Sequence, residues 1–398
     1  MSSARARPSF GTLFSLLRAV TMTSGATTLK EPLTLPAHHS TSGIFWKTRT
    51  FENIWDTWKD ITFKDVYKWA STRKSHCVKG YLMSTTTPTA ADFAEAFPPY
   101  PVDWKALANP PSDAIQAVWV GHSTVLTQMQ GLTWITDPVF SERASPVQWA
   151  GPKRVTPPAF TLEAPALPRL DFVLISHNHY DHLDRASVKS LHARFGEALS
   201  WYVPLGLAAW FRAEGISNVR ELDWWEEARH PSPDGSSVRL VLTPAQHATM
   251  RGLWGPNAGR RQTLWGGWAV LGSQRRFWFA GDTGYCTVFR EIGERLGPFD
   301  LAAIPTAAYL PRDFMRAQHV NPAEAVRIHR DVRSRRSMAI HLATFPLTDE
   351  PMDEPVGELR RQAAAAGLGD EEFVSLRHGA SIVTSGGVDL VAPVTLSC

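Results

Sequence analysis

The amino-acid sequence predicts a layered α/β domain. From about residue 114 onward, short apolar runs of strand length recur, and segments with a helical pattern lie between several of them. Hydrophobic residues make up 43% of the 398 residues and charged residues 20%. That is enough apolar material for a full core, and it excludes a wholly disordered chain.

The apolar runs and their boundaries predict the individual elements. Strands are expected at residues 117–129, 132–138, 171–176, 199–204, 238–244, 268–272, 276–282, 301–305 and 337–341. Helices are expected at residues 185–196, 321–332 and 354–369. In the second of these helices Asn321 is a suitable N-cap, Pro322 fits the first helical position and Glu324 completes a capping box.

Residues 1–50 are predicted to be a flexible N-terminal lead, because they are rich in serine, threonine and proline and chain ends are rarely held in place. All the charges before Glu31 are basic, at Arg5, Arg7, Arg18 and Lys30. A basic organelle-targeting segment is therefore the alternative interpretation.

Residues 51–105 are predicted to be a Trp- and Lys-rich extension ahead of a main domain at residues 106–398. Ile54, Trp58 and Ile61 recur at helical spacing among lysines, as in a helix that lies at a membrane interface. A helix packed against the main domain is the alternative interpretation, and it is the one we prefer.

The charge and the cysteines restrict the class of partner and the compartment. The formal net charge is only +3, and the basic residues form no stripe, so no nucleic-acid partner is expected. Cys77, Cys286 and Cys398 lie far apart, which favours a reducing, intracellular compartment over a disulfide framework. No run of 18 apolar residues is present, so a transmembrane helix is not expected. The apolar stretch 205–211 is a second candidate membrane contact, although such a stretch more often belongs to a core.

The strongest functional signal follows the predicted strand at residues 171–176. His177, His179, Asp181 and His182 form an HxHxDH motif. Alternate residues of an extended chain point to the same side, so His177 and His179 can face one ion. The turn that follows can direct Asp181 and His182 at a second ion. Zinc accepts imidazole and carboxylate ligands, and four of them within six positions favour a metal site over a solvated polar loop.

Three more ligand-type residues end predicted strands in the same way, namely His247, Asp282 and His341. Each alone has a common structural explanation, such as a capping aspartate or a strand-end histidine. With the motif they supply seven donors, which suits two ions with open coordination for a hydroxide. The expected ligands are His177, His179 and His247 for one ion, Asp181, His182 and His341 for the other, and Asp282 for both.

The same residues match a known pattern. The HxHxDH motif, the later His247, Asp282 within "GDTG" and the strand-end His341 resemble the metallo-β-lactamase superfamily. Longer segments are similar to the family of N-acylphosphatidylethanolamine-hydrolysing phospholipases D; they include "DPVFSERASP", "GPKR", "LISHNHYDHLD", "ELDWWEE", "FAGDTGYC" and "QHVNPAEAVRIH". The resemblance runs from about residue 115 to 380. It departs beside two ligands, at "LATF" after His341 and at "HATM" from His247, which leaves the acyl-chain preference open.

The resemblance implies a fold, a reaction and a setting. The fold is an αββα sandwich of two mixed β-sheets flanked by helices, with two Zn²⁺ ions per chain where the sheets meet. The reaction is hydrolysis of N-acylphosphatidylethanolamine to an N-acylethanolamine and phosphatidic acid through a metal-activated hydroxide. The setting is the membrane surface, where the chain would act as a peripheral homodimer on its phospholipid substrate.

The resemblance also implies roles for individual residues. Asp282 would hold both metals, and Asp181 would in addition orient the hydroxide. Tyr180, Gln318 and His319 resemble phosphate-contacting residues of the family, and His319 would donate to the phosphate or to the leaving oxygen. A histidine that only pairs within its own loop is the alternative for His319.

Two other functions remain open from the sequence. The metal motif alone also fits a di-metal hydrolase of soluble esters or lactones, and only the longer resemblance and the Trp-rich extension argue against it. A non-catalytic metal-bound scaffold or lipid-transfer module would be expected to lack a ligand, whereas all seven ligand-type residues are present.

Overall fold

The strands form two mixed sheets in the structure, a computed structural model. It describes residues 36–42, 48–62, 64–65, 67–68, 71, 90–252, 259–384 and 390–391. Residues 1–35 and 72–89, which hold most of the predicted lead and part of the predicted extension, lie outside the described residues.

The first sheet contains eight described strands. In spatial order they are β17 (Leu390–Val391), β16 (Ser381–Thr384), β3 (Ile115–Gly121), β4 (Thr124–Met129), β5 (Leu132–Thr136), β6 (Phe172–Leu174), β7 (Ser200–Pro204) and β8 (Val219–Leu222). Neighbours from β17 to β5 are antiparallel, and neighbours from β5 to β8 are parallel. The parallel half therefore places the carboxyl ends of β5 and β6 side by side.

The second sheet contains seven described strands and repeats this design. In spatial order they are β15 (Phe373–Val374), β14 (Ser337–Ile340), β13 (Leu301–Pro305), β12 (Arg276–Phe279), β11 (Gly267–Leu271), β10 (Ser237–Thr243) and β9 (Glu227–Pro231). Neighbours from β12 to β15 are parallel and the others antiparallel, so β10, β12, β13 and β14 all run in one direction.

Alternation along the strands divides the core into layers. Trp134 and Phe172 point towards the second sheet, where Phe277 meets the Trp134 ring with centroids 5.7 Å apart. The next residues on the same strands, Ile135 and Val173, point to the opposite face and join a separate apolar cluster. The buried strands can be apolar throughout because both of their faces are covered.

Helices cover the outer faces and complete an αββα sandwich, so the predicted architecture is confirmed. The first sheet packs against α2 (Trp104–Ala108), α3 (Arg185–Phe195) and α4 (Ala208–Ala213), and the second against α5 (Val288–Arg295), α7 (Pro322–Asp331) and α8 (Glu354–Ala365). The short α1 (Ala90–Ala96) and α6 (Arg312–Met315) lie in connections. The predicted capping box of Asn321 and Glu324 is present. No described helix is long and apolar enough to cross a membrane.

The structure refines two of the predicted apolar segments. The run at residues 117–129 is a hairpin of β3 and β4 that turns at His122 and Ser123, because Gly121 and His122 have positive φ angles. The stretch 205–211 lies mainly in the core, where Leu207 and Phe211 are buried.

The N-terminal segment differs from the predicted helix at residues 52–62, whereas the described residues 64, 65, 67, 68 and 71 are helical. A hairpin of β1 (His39–Ser42) and β2 (Thr48–Phe51) precedes an irregular segment with no helix between residues 52 and 62. We call residues 48–62 the N-terminal strap. Several of its polar groups pair with the main domain; for example, Arg261 forms ion pairs with Glu52 and Asp60.

Two histidines that precede the strap hydrogen-bond to the main domain. The Nε2–H groups of His38 and His39 donate to the two carboxylate oxygens of Asp223, each at 2.7 Å. The His38 ring also stacks on Trp224, with centroids 4.3 Å apart. Phe51 is fully buried in the core. His38, His39 and Phe51 are thus part of the packed fold.

Candidate metal centre

The seven ligand-type residues predicted from the sequence converge at one edge of the sandwich. Each lies in a loop that follows the carboxyl end of a strand, as expected for a site in an open α/β sheet. The motif residues His177, His179, Asp181 and His182 follow β6, and His247, Asp282 and His341 follow β10, β12 and β14. The two sheets therefore contribute opposite walls of one site.

Three imidazoles form a first group. The Nδ1 atom of His179 lies 2.9 Å from His177 Nε2 and 3.3 Å from His247 Nε2. His177 and His247 are 1% and 0% exposed. Three ligand nitrogens this close could hold one divalent ion.

A second group surrounds Asp181. Its Oδ2 atom lies 3.5 Å from His182 Nε2 and 3.4 Å from His341 Nε2. Asp282 lies between the groups, because its Oδ2 is 3.0 Å from His182 Nε2 and 3.8 Å from His177 Nε2. The structure thus brings all seven residues together in the predicted grouping, and their role as metal ligands remains a prediction.

The electrostatics of the site favour added positive charge. Burial raises the pKa of the Asp282 carboxyl, but His182 and His341 outweigh it and hold that pKa well below its usual range. Burial lowers the pKa of His341, yet Asp282 and Asp181 raise it to about 9. Burial together with the neighbouring imidazoles lowers the pKa of His177 and His247. The first group is therefore neutral, as metal-ligating imidazoles must be, whereas His182 and His341 in the second group hold protons that a bound metal cation would replace.

Buried polar atoms that lack a hydrogen-bond partner indicate whether these residues fit metal ions. Most buried polar side-chain atoms in proteins have a hydrogen-bond partner. His182 Nε2, His341 Nε2 and Asp282 Oδ1 are buried and have no such partner among the described residues. Coordination of divalent cations would satisfy all three atoms, so the donor set fits the metal centre that the sequence predicts.

Asp137 orients two of these histidines and was not identified from the sequence. The Nδ1–H of His182 donates to Asp137 Oδ2 at 2.7 Å, and His177 Nδ1–H reaches the same carboxylate through the Ser176 hydroxyl. This directs the Nε2 atom of each ring into the site. Asp137 directly follows β5, and Asp282 likewise lies after β12. This position after a strand is the sequence feature from which Asp137 could have been identified.

The residues predicted to contact the phosphate surround the first group. His319 Nδ1 is buried without a partner in the described structure and lies 4.0 Å from Asp282 Oδ2. Burial lowers the pKa of His319 to about 4. The half-buried Gln318 accepts a hydrogen bond from His247 Nδ1–H through its backbone carbonyl. Tyr180 donates its hydroxyl to the Arg251 carbonyl at 2.6 Å.

Arg251 is a further cation beside this group that was not identified from the sequence. Its guanidinium lies 4.2 Å from the centroid of the Tyr180 ring and donates to the carbonyls of Asn178 and Leu183. Burial lowers the pKa of Arg251 to about 10, so the side chain stays charged at neutral pH. It supports the HxHxDH loop and adds positive charge near Tyr180.

Comparisons with known proteins show the family and the fold. Residues 133–342 match the model of the beta-lactamase superfamily domain. The chain is 46% identical over 271 residues to the N-acyl-phosphatidylethanolamine-hydrolyzing phospholipase D 1 of Caenorhabditis elegans, covering 66% of this chain and 74% of that protein. It is 33% identical to the mitochondrial protein of that name from Saccharomyces cerevisiae, covering 63% of this chain and 52% of the yeast protein. A metallo hydrolase from Ignicoccus hospitalis shares the fold, with a TM-score of 0.50 and 18% identity over 68% of this chain and 99% of its own.

The buried His378 leads to a prediction of how the stability of the protein depends on pH. His378 is 3% exposed and donates Nδ1–H to the Pro157 carbonyl. Burial lowers its pKa to about 4 in the folded chain, against 6.5 for a free histidine. Between these values the unfolded chain binds the proton more readily, so stability should fall as the pH decreases. The free energy of unfolding should be measured by urea denaturation at pH 7 and pH 5, with a chelator present. Its decrease between the two pH values should be about 2 kcal/mol smaller in His378→Gln than in the unmodified protein. An equal loss in both proteins would contradict this assignment.

Proposed function

The chain belongs to the metallo-β-lactamase superfamily and, within it, to the family of N-acylphosphatidylethanolamine-hydrolysing phospholipases D, and from this membership we propose that it is a zinc-dependent phospholipase D. Its substrate would be N-acylphosphatidylethanolamine, and its products an N-acylethanolamine and phosphatidic acid. One observation carries the proposal: Asp282 Oδ2 lies between two groups of buried imidazoles, at 3.0 Å from one group and 3.8 Å from the other. A carboxylate shared in this way suits two ions that act on one phosphodiester.

Two zinc ions per chain are proposed, held by the residues grouped above. His177, His179 and His247 would hold one ion, Asp181, His182 and His341 the other, and Asp282 both. When bound, the ions supply Lewis acidity, which lowers the pKa of a water molecule and neutralises charge on the phosphate.

The chain's own residues would then position the reacting groups. The Asp181 side chain is 13% exposed, so its carboxylate can accept a hydrogen bond from the attacking water and orient it towards phosphorus. His319 is neutral at pH 7 because burial lowers its pKa. Its unpartnered Nδ1 faces Asp282, so this ring is placed to donate an N–H to the phosphate or to the leaving oxygen. Gln318 and Tyr180 are proposed to contact the same phosphate.

A membrane surface is the proposed setting, because the substrate resides in a bilayer. Ile54 in the N-terminal strap and Met250 are 50% and 47% exposed, which is high for large apolar side chains. Chain neighbours of both residues contact the site: Asn53 donates to the His247 carbonyl at 2.7 Å, and the Arg251 carbonyl accepts from the Tyr180 hydroxyl. Apolar contacts beside the opening would let the chain draw a lipid headgroup from the membrane. Peripheral association with an intracellular membrane and homodimer formation remain proposals.

Metal content is the first prediction. The purified protein should contain about two zinc ions per chain, and a chelator should abolish activity, because seven donors surround two positions. His179→Ala should lose metal and activity, whereas His192→Ala on the surface helix α3 should lose neither. Metal analysis by mass spectrometry provides the measurement. A fully active protein without metal would refute the proposal.

The substrate is tested with vesicles. The protein should convert N-acylphosphatidylethanolamine in vesicles to phosphatidic acid and N-acylethanolamine. Lipid mass spectrometry measures both products. Asp282→Asn should remove this activity, because an amide cannot bridge two cations as a carboxylate does. Turnover of soluble esters or lactones, with intact lipid, would assign the chain to the alternative class of hydrolase.

His319 should affect turnover and not metal binding. His319→Ala removes a donor to the phosphate or leaving oxygen, so kcat should fall about 10²-fold or more. The zinc content should stay equal to that of the unmodified protein. Loss of one ion in this variant would instead identify His319 as a ligand.

A further inference from the structure

His122 lies in the site, although neither the sequence pattern nor the proposed reaction gives it a role. It occupies the turn between β3 and β4 with φ = 52°, a left-handed conformation that few side chains adopt without cost. Its side chain is only 2% exposed. A strained backbone and a buried polar ring at one position call for a compensating interaction.

Both backbone groups of His122 are tied to the loop that carries His341. The His122 N–H donates to Thr344 Oγ1 at 2.8 Å. Its carbonyl accepts from the His341 N–H at 3.0 Å and from the Trp119 indole at 2.9 Å. Since His122 belongs to the first sheet and His341 to the second, these bonds fix the distance between the two walls of the site.

The ring of His122 points at Asp181. Its Nε2 lies 3.1 Å from Asp181 Oδ2, and its ring centroid lies 4.1 Å from that of His341. An ionised carboxylate only accepts hydrogen bonds, so Nε2 must carry the proton and donate it. One N–H is then available, and it is directed at Asp181.

A second role for the ring, as a metal ligand, fits the contacts less well. If Nε2 bound an ion, the proton would have to sit on Nδ1. That atom is buried and has no hydrogen-bond partner in the described part of the chain. A buried donor without an acceptor costs about 1–3 kcal/mol. Of the proposed ligands, His182 and His247 each donate Nδ1–H to an acceptor, whereas Nδ1 of His341 also lacks a partner in the described part of the chain, so the ligand role is separated from the donor role by the variants below.

We propose that His122 is a positioning residue, whose Nε2–H holds the Asp181 carboxylate in the orientation that the second metal position requires. The inference rests on the two-ion centre proposed above. Without this bond, the Asp181 side chain could rotate away from His182 and His341, which approach it only at 3.5 and 3.4 Å. A partner that orients a metal-binding group in this way typically contributes 10- to 100-fold to metal affinity.

Two matched variants test the role. His122→Gln places an amide N–H as many bonds from Cβ as Nε2, and His122→Met has a side chain of similar length without a donor. Both variants place a non-glycine side chain on the left-handed backbone of residue 122, so any cost of this conformation is the same in the two variants. Zinc titration of the full chain, followed by calorimetry, should show two ions in His122→Gln. In His122→Met the first ion should bind normally and the second about 10- to 100-fold more weakly.

The outcomes separate this role from others. Equal affinity for the second ion in His122→Met and the unmodified protein would overturn the proposal. Equal weakening in both variants would indicate a ligand or a purely structural role, and would also overturn it. Adding His122→Met to Asp181→Ala should not weaken metal binding further, because the positioned group is already absent.

A measurement that does not depend on metal distinguishes this proposal from the two-ion centre itself. In chelated protein labelled with ¹⁵N-histidine, NMR should show His122 as the neutral tautomer with the proton on Nε2. A proton on Nδ1 would overturn the role of His122 whatever the metal content. A single zinc ion in the unmodified protein, with the Nε2–H tautomer present, would refute the two-ion centre and support the hydrogen bond.

Discussion

The burial of two carboxylates among seven imidazoles is the interaction on which the rest of this structure depends. Removing an ionised carboxylate from water costs several kcal/mol unless it is paired. Asp181 and Asp282 nonetheless remain ionised, because His182 and His341 lie within 3.5 Å and hold the pKa of each carboxyl well below its usual range. Divalent cations in place of the histidine protons would compensate the same charges and release the imidazoles as ligands.

This requirement explains the form of the two sheets. Ligand-type side chains must come from opposite walls, so strands of both sheets end at one edge. The loops that follow those strands approach each other very closely. A Cβ atom at Gly284 would lie 2.4 Å from the Ala317 carbonyl oxygen, and one at Gly281 would lie 2.7 Å from the Ser176 Cβ. The two glycines on either side of "DT" therefore allow the His319 loop and the HxHxDH loop to reach the site.

The sequence predicted those features that depend on local order and missed those that depend on tertiary contacts. The layered α/β class followed from apolar runs, and the convergence of seven donors followed from their shared position after strands. His122 and Asp137 were missed because each acts through another side chain, Asp181 or His182, far away in the sequence. The strap was predicted as a helix from the spacing of Ile54, Trp58 and Ile61. It is irregular because its polar groups pair with residues about 200 positions away, such as Arg261.

The cluster that fastens the N-terminal segment shows that residue type alone does not define a metal site. His38, His39 and Asp223 bring two imidazoles and a carboxylate as close together as the groups of the metal centre. There, however, each Nε2–H donates to its own carboxylate oxygen at 2.7 Å, and none of the three side chains has a buried atom without a partner. In the proposed metal centre, by contrast, His182 Nε2, His341 Nε2 and Asp282 Oδ1 are buried without a hydrogen-bond partner among the described residues. These unpartnered atoms distinguish a proposed cation site from a hydrogen-bonded clamp of similar composition.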